Sequence, residues 1–526
     1  MAERNEQAHG APYRWYIWFC MLLPLVLLAI LGQDSNWDLR NYHLYNPHAW
    51  LHGRMATDVA PAHMQTWFNP LLDTPMYLMV QAGLSGAVVG AWLTLPIIVA
   101  LYFLLKLYLR LDAGNASPLG VLSLTALALT GAATMPAIGT TFNDGFVAAG
   151  LLGCLFLLVR NDPPGRLDWI LVGVIAGAMT GLKLTAGVYC LGLGAAACVA
   201  MPWRPWRDCL PGLLALICGG IFGFLLSYGY WGWTLWQLHG NPFFPLFNQY
   251  FQSPDALQSS FVDPKYRPGN WSEGLSLIFQ LLHSSRRFSE VPLRDPRLVL
   301  GLIAGVVLML RGQKVTQARG GRQMLVAFYL TSLAAWLWLY SIYRYVVTIE
   351  LLACLFIVLA LQRLPGRTRP VAVLVATALI VAVTVQPDWE RRRFQTPMVQ
   401  IPMPRLPPNS LVVESGDEPI GFAALALSDD TPMVSIYGIF MSPERCTALQ
   451  ARAEQAVVSH EGPLWLLRTA WPADDIGQQI AERWYGLMPA GPCRDLPTSL
   501  DRLRLCPLSR EPRPRHCVLH LDPTGR

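Results

Sequence analysis

Two carboxylates four residues apart, Asp34 and Asp38, open a polar stretch that continues through Arg40-Asn-Tyr42-His43 to Asn69-Pro70. On a helical turn, positions i and i+4 share a face, so either could take the proton of a hydroxyl as it attacks a carbon centre. Asp144, in Asn143-Asp144, is a third carboxylate, suited to orienting that hydroxyl or assisting a metal. The complementary need is positive charge on a leaving group that becomes more negative as its bond breaks. Lys183 and Arg344 (in Tyr343-Arg344-Tyr345) are candidates for holding a phosphate, and the adjacent Arg286 and Arg287 could grip one bidentately. A structural role competes for each residue. Asp38 could cap a helix over 39–52 that stops at Gly53. Lys183 could snorkel to an interface and Arg344 could anchor in an aromatic belt. The paired arginines could bind Glu290 and Asp295 and only shape their loop. His48 and His52 have the spacing of helix-borne metal ligands but lack the glutamate of HExxH. A divalent metal is the one cofactor left open.

The surrounding chain sets where such chemistry would occur. Of 526 residues, 53% are hydrophobic and 14% charged, and mean hydropathy is +0.34; a soluble domain carries nearly twice that charge fraction. Apolar runs lie at roughly 14–32, 86–109, 116–135, 142–159, 167–183, 185–202, 209–231, 296–310, 323–340, 345–362 and 370–386. A hydrocarbon core needs about 20 helical residues, and lipid requires backbone groups to be satisfied within the segment. The expected class is therefore an all-α polytopic membrane protein of about eleven transmembrane helices with a C-terminal soluble α/β domain. Pro70–Leu84 is short and contains Asp73, so it is expected to be an interfacial helix.

Charge orients this scheme. With the N-terminus in the cytosol, Arg4, Arg14, Lys106, Arg110, Arg160, Arg166, Arg204, Arg207, Arg311, Lys314, Arg319, Arg322, Arg363, Arg367 and Arg369 fall inside. The short outer segments hold Arg40, Arg54, Lys183 and Arg344, as the positive-inside rule requires. The expected place is thus a bacterial inner membrane. A membrane core would span 1–386, with outer loops at about 33–84 and 231–295, and a periplasmic domain would span 387–526. The first apolar run lacks a small-residue cleavage site and reads as a retained signal-anchor. Leu411–Val413, Met433–Ile439, Leu464–Leu467 and Cys517–His520 read as strands of the terminal domain. A helix is expected to open at Ser442-Pro443-Glu444, and another to cover Ala473–Tyr485. Cys446, Cys493, Cys506 and Cys517 allow two disulfides in any pairing. No phosphate-binding glycine loop follows a strand, so no cytosolic nucleotide pocket is expected; no nucleic-acid partner is expected either.

The order of several short motifs resembles the GT-C superfamily of polytopic membrane glycosyltransferases. These are the Asp…Tyr42-His43 arrangement after the first span, Asn143-Asp144, Gly181-Leu-Lys183-Leu-Thr185-Ala186, and Gly240-Asn241-Pro242-Phe243-Phe244-Pro245. Together they cover roughly residues 14–386; many relatives carry adjacent acids in the first loop, and this chain does not. The resemblance implies transfer of a sugar from a polyprenyl-phosphate donor to a glycan, lipid or protein acceptor at the outer face, with inversion. In that scheme Asp38 is the base, Asp34 its alternate and Asp144 an assistant. Tyr42, His43, Lys183, Arg286, Arg287, Glu290 and Arg344 contact substrate. Two other classes compete. A lipid-linked-glycan polymerase or ligase would rely on Arg and His. A flippase or transporter would need ionisable residues at mid-bilayer, where Glu350 is the main exception to nearly charge-free spans.

Overall fold

The computed structural model describes residues 13–112, 116–159, 164–200, 206–259, 265–310, 317–470, 476–514 and 516–517. The chain folds into two compact units. One comprises Met1–Gly32, Gly90–Gly229 and Asp263–Trp389; the other comprises Gln33–Val89, Tyr230–Val262 and Glu390–Arg526.

The first unit is helical. Its elements are α1 (Arg14–Leu31), α2 (Gly86–Leu111, from Gly90), α3 (Pro118–Leu129), α4 (Asp144–Leu158), α5 (Arg166–Leu182), α6 (Gly187–Ala200), α7 (Trp206–His239, to Gly229), α8 (Arg297–Leu310), α9 (Gln317–Leu339), α10 (Val347–Leu361) and α11 (Thr368–Val383). A helix falls on every apolar run marked above. Among the described residues, though, only Arg14–Leu31, Gly86–Leu111, Leu210–His239 and Tyr343–Leu361 are long and apolar enough to cross a membrane. The expectation of about eleven spans is thus matched in part: α3, for example, has 12 residues, roughly 18 Å of helix against a core of about 30 Å. The physical reason for that short helix is visible beyond its end. The Ala132 N–H donates to Asp295 at 2.8 Å, while the Ala133 and Thr134 N–H groups each donate to Glu350 at 2.9 Å. Buried carboxylates thus capture backbone donors and turn the chain.

Helix α10 is the centre of this unit, with every residue from Val347 to Leu359 buried. It is apolar on all sides, as a helix surrounded by others must be. It packs on α3, α4, α8, α9 and α11. Helices α5 and α7 approach by another device. A Cβ on Gly173 would land on the Leu216 carbonyl, and one on Gly177 on the Gly220 carbonyl. Small residues every fourth position let membrane helices meet backbone to backbone. Gly177→Ala is therefore expected to lower the melting temperature in detergent by several degrees, since overpacking costs about 1–3 kcal/mol. Gly194→Ala, whose Cβ meets nothing within 4 Å, is the control. Equal melting temperatures for the two variants would refute the close-packing account.

The second unit joins the first polar loop to the C-terminal region. Strands β1 (Gln33–Asp34) and β2 (Arg391–Arg392) pair antiparallel. A six-stranded sheet follows from β3 (Leu411–Ser415), β4 (Met433–Tyr437), β5 (Leu464–Thr469), β6 (Leu487–Pro489), β7 (Arg494–Pro497) and β8 (Arg502–Arg510). Its order is β4-β3-β5-β8-β6, with β7 also on β8. Strands β3, β4 and β5 are parallel, and the pairings of β8 are antiparallel. Val59 extends the β4 edge, its carbonyl accepting the Ser435 N–H at 2.8 Å and its own N–H donating to the Met433 carbonyl at 3.0 Å. Helices α12 (Ala448–Val458) and α13 (Ile476–Tyr485) complete the region. The helix expected from Ser442 starts later, because Thr447 is the residue whose side chain caps it, accepting from Gln450 N–H at 3.2 Å. Residues 518–520 of the expected last strand lie outside the described residues. Disulfides join Cys446 to Cys517 and Cys493 to Cys506. The segment Pro70–Leu84 contains a helix at Thr74–Gln81.

Candidate functional site

In the helical unit, three of the sequence-marked residues come together at helix ends. Asn143 adopts a left-handed conformation, φ 63°, and so starts α4 with Asp144 in its first turn. At the end of α5 the backbone leaves the helix at Lys183, φ −144° and ψ 102°. The Lys183 ammonium then reaches Asp144 at 2.7 Å and the Phe142 carbonyl at 2.6 Å. Arg344 sits in the turn Tyr343–Val346 that leads into α10. Its guanidinium carbon lies 5.5 Å from the Phe142 ring and 5.4 Å from the Tyr345 ring, while Lys183 Nζ lies 5.1 Å from the Tyr345 ring. Cations over aromatic faces stay charged with less hydration. The Tyr189 hydroxyl fixes this turn by donating to the Tyr345 carbonyl at 2.6 Å.

A small cleft opens beside the cluster, lined by Ala133, Phe142, Asp144, Ser289, Arg344 and Trp389 among others. Its wall at Ala132–Thr134 is the turn held by Asp295 and Glu350. Asp295 is also gripped by Arg297, itself bonded to the Leu127 carbonyl and to Thr130 and Thr384. These buried groups are therefore scaffold. Glu350, the mid-span exception, is occupied with backbone donors.

Arg286 and Arg287 behave differently. Arg287 donates to the carbonyls of Tyr266 at 2.6 Å and Arg267 at 3.1 Å, and to Glu273 at 3.1 Å. The Gly269 N–H, with Arg287, holds the Glu273 carboxyl below its usual range. Arg287 thus shapes its loop, and Arg286 and Glu290 are exposed on that loop.

The second unit places the first-loop residues. Asp34 lies in β1, where its Oδ1 accepts the Asn36 N–H at 3.0 Å. Asn36 is the residue that caps the following helical turn, accepting the Leu39 N–H at 2.7 Å. Asp38 is buried at the head of that turn, Leu39–His43, and makes no side-chain capping bond. The capping role that the sequence allowed to Asp38 falls to Asn36. Arg40 is held by Glu390 and Asp501. His43 Nδ1 lies 2.8 Å from the Asp73 carboxylate, both groups buried. The Tyr42 ring packs on the imidazole at 4.0 Å between centroids. The His43–Asp73 contact is a close approach of ring and carboxylate without hydrogen-bond alignment, since neither ring nitrogen of His43 makes a hydrogen bond among the described residues. Asp73, Glu390 and Asp501 were not among the sequence candidates. Only Asp73 carried a signal, as an acid inside an apolar segment.

The two helix-spaced histidines do not face a shared metal position. The Tyr77 hydroxyl stands between them, 2.9 Å from His48 Nδ1 and 3.3 Å from His52 Nε2. Burial, with His52 and Arg54 adding positive charge, pushes the His48 imidazole down to about 4. The Gly240–Pro245 motif builds a turn: Asn241 accepts the Phe243 N–H and donates to the Leu246 carbonyl, each at 2.9 Å. Comparison with protein-family models, with curated proteins and with solved structures finds no match to this chain.

Proposed function

We propose that this protein is an inner-membrane glycosyltransferase that moves a sugar from a polyprenyl-phosphate donor to an acceptor hydroxyl at the periplasmic face. The observation that carries the reading is the cluster of Lys183 and Arg344 against aromatic rings, with Asp144 orienting the lysine. Two cations at helix ends suit a lipid-linked phosphate, whose charge rises as the sugar leaves. An apolar groove of about 550 Å³ supports it. The groove follows one face of α4, from Phe146 to Leu157, and includes Met179 on α5. Its Phe146 end lies within one turn of Asp144, and Met179 within about one turn of Lys183. An isoprenoid tail in that groove would carry its phosphate towards the cluster.

In this reading Asp38 takes the proton of the acceptor hydroxyl. The hydroxyl oxygen bonds to the anomeric carbon, and the bond to phosphate breaks with its electron pair leaving on polyprenyl phosphate. All of the apolar runs are assigned to the membrane with the N-terminus in the cytosol, and the two disulfides favour a periplasmic C-terminal region. A second reading, a glycan polymerase or ligase, draws on the His43–Asp73 pair as an alternative base. A carrier is disfavoured by the engagement of Glu350 with backbone N–H groups.

The test is sugar transfer in membranes from a panel of radiolabelled polyprenyl-phosphate sugars. Asp38→Asn is expected to reduce transfer by at least 100-fold, in line with losing a general base, while Asp34→Asn retains most of it. Full activity in Asp38→Asn together with loss in His43→Ala would move the assignment to the polymerase or ligase reading. Consumption of no donor would refute the proposal.

A further inference from the structure

Residues 271–282 belong to the long connection between α7 and α8, yet their side chains divide into three faces, of which only one is polar. Asn270 caps a helix over Trp271–Leu277, accepting the Glu273 N–H at 2.9 Å, and the chain runs on as a tighter 3₁₀ stretch over Ile278–Leu282. Gly274, Leu277, Ile278 and Leu281 are buried and form the first face. The Ile278–Leu282 part packs on α8, and the Leu281 carbonyl accepts the Asp295 N–H at 3.0 Å. Ser272, Ser276 and Gln280 form the second face, which is exposed. The third is apolar and exposed all the same. Trp271 is 74% exposed, Leu275 75% and Phe279 53%, and Leu282 continues the stripe. At about 100° of helix per residue, this stripe falls between the buried face and the polar one.

An exposed apolar stripe with a polar rim marks a surface that meets a protein or a membrane. Three observations select the membrane. The Trp271 ring lies flat on Trp338, with centroids 4.5 Å apart and planes 16° apart. Trp338 is in the last turn of α9, and tryptophans gather where membrane helices end, at the boundary with water. A helix with adjoining apolar and polar faces lies in the plane of that boundary. Residues 265–290 carry four Lys or Arg and two Glu, with Lys265 and Arg286 exposed, a balance that suits anionic lipid. The segment is also braced. Arg287 ties Glu273 to the Tyr266 and Arg267 carbonyls, and Arg267 Nε donates to the Trp338 carbonyl at 3.2 Å.

We propose that residues 271–282 form an in-plane helix at the membrane–water boundary, with Trp271, Leu275, Phe279 and Leu282 entering the acyl region of the bilayer that holds the protein. The inference rests on the membrane assignment of the apolar runs and not on the glycosyltransferase reading.

The full-length protein is reconstituted into vesicles of phosphatidylethanolamine and phosphatidylglycerol, carrying Leu275→Cys, Phe279→Cys, Ser272→Cys or Ser276→Cys. A charged maleimide on both sides of the bilayer reads access to water, and the parent protein gives the background from native thiols. Ser272→Cys and Ser276→Cys are expected to react at least about tenfold faster than Leu275→Cys and Phe279→Cys, because a charged reagent is excluded from the apolar region. Denaturation in dodecyl sulfate should equalise all four. A second copy of the chain would shield Leu275 as well, so benzoylphenylalanine is placed at position 275 and photolysed in the same vesicles. The expected product is a phospholipid adduct of the single chain. Equal labelling rates at the two pairs of positions, or a cross-linked dimer in place of the lipid adduct, would each overturn the assignment.

Discussion

Replacing Lys183 with alanine is expected to lower sugar transfer by about 100- to 1,000-fold, the range seen when one preorganised charge-stabilising donor is removed. The same change strips the cation from Asp144, which is 5% exposed. Breaking a buried ion pair costs about 3–5 kcal/mol, so lost activity alone would not separate chemistry from folding. The double variant Lys183→Met with Asp144→Asn makes that separation. It removes both charges together, leaves a neutral amide at the head of α4, and is expected to recover most of the melting temperature lost by Lys183→Ala. Transfer should stay low, because no ammonium remains to meet the phosphate. Lys183→Arg is the informative intermediate. It keeps the charge, yet a planar fork does not reproduce the point charge that reaches both Asp144 and the Phe142 carbonyl. Wild-type transfer by the double variant would demote the pair to scaffold, and Arg344 alone would then have to serve the phosphate.

Elements built on local periodicity were legible, and contacts between distant segments were not. The runs that became α2, α7 and α10 announced themselves by length and apolarity. Strands β3, β4 and β5 did so by short β-branched and leucine-rich stretches. Strand β8 has no counterpart among the expected strands, although Arg502-Leu-Arg504-Leu alternates as a half-buried strand should. Nothing local identifies the Glu350 carboxylate as the partner of backbone groups more than two hundred positions earlier. Nothing local shows that Asn36, and not Asp38, caps the first-loop helix, since both types are good caps at neighbouring positions. The choice depended on backbone angles: Asp38 already lies in the helical region, φ −65°. The Lys183–Asp144 association was foreseeable only as two candidates at span ends. Arg287 shows the opposite limit, where a sequence pattern suited to phosphate binding is absorbed by three carbonyls and Glu273 of its own loop.

The largest stability effect is expected at Asp58. Arg54 and Asp58 form a bidentate pair, each contact 3.0 Å, with both side chains 1% exposed. Arg54 also donates to the carbonyls of Ser428 at 3.0 Å and Thr431 at 2.7 Å. Asp58 accepts the Tyr45 hydroxyl at 3.0 Å and the Met433 N–H at 2.9 Å. Burial pushes the Asp58 carboxyl up, against the pull of Arg54, so desolvation weighs heavily at this site. Asp58→Ala leaves a buried guanidinium and is expected to cost about 3–5 kcal/mol, read as a lower melting temperature and as early proteolysis of the second unit. Many buried ion pairs can be exchanged for apolar residues with little loss. This one should not behave that way, because its four outer contacts satisfy two carbonyls, an N–H and a hydroxyl. Arg54→Met with Asp58→Leu is therefore expected to remain destabilised by at least about 2 kcal/mol, as each orphaned buried polar group costs about 1–3 kcal/mol. Wild-type stability in that double variant would mean that the sheet edge at β4 is held by Val59 alone, and that the pair is dispensable to the joining of loop and sheet.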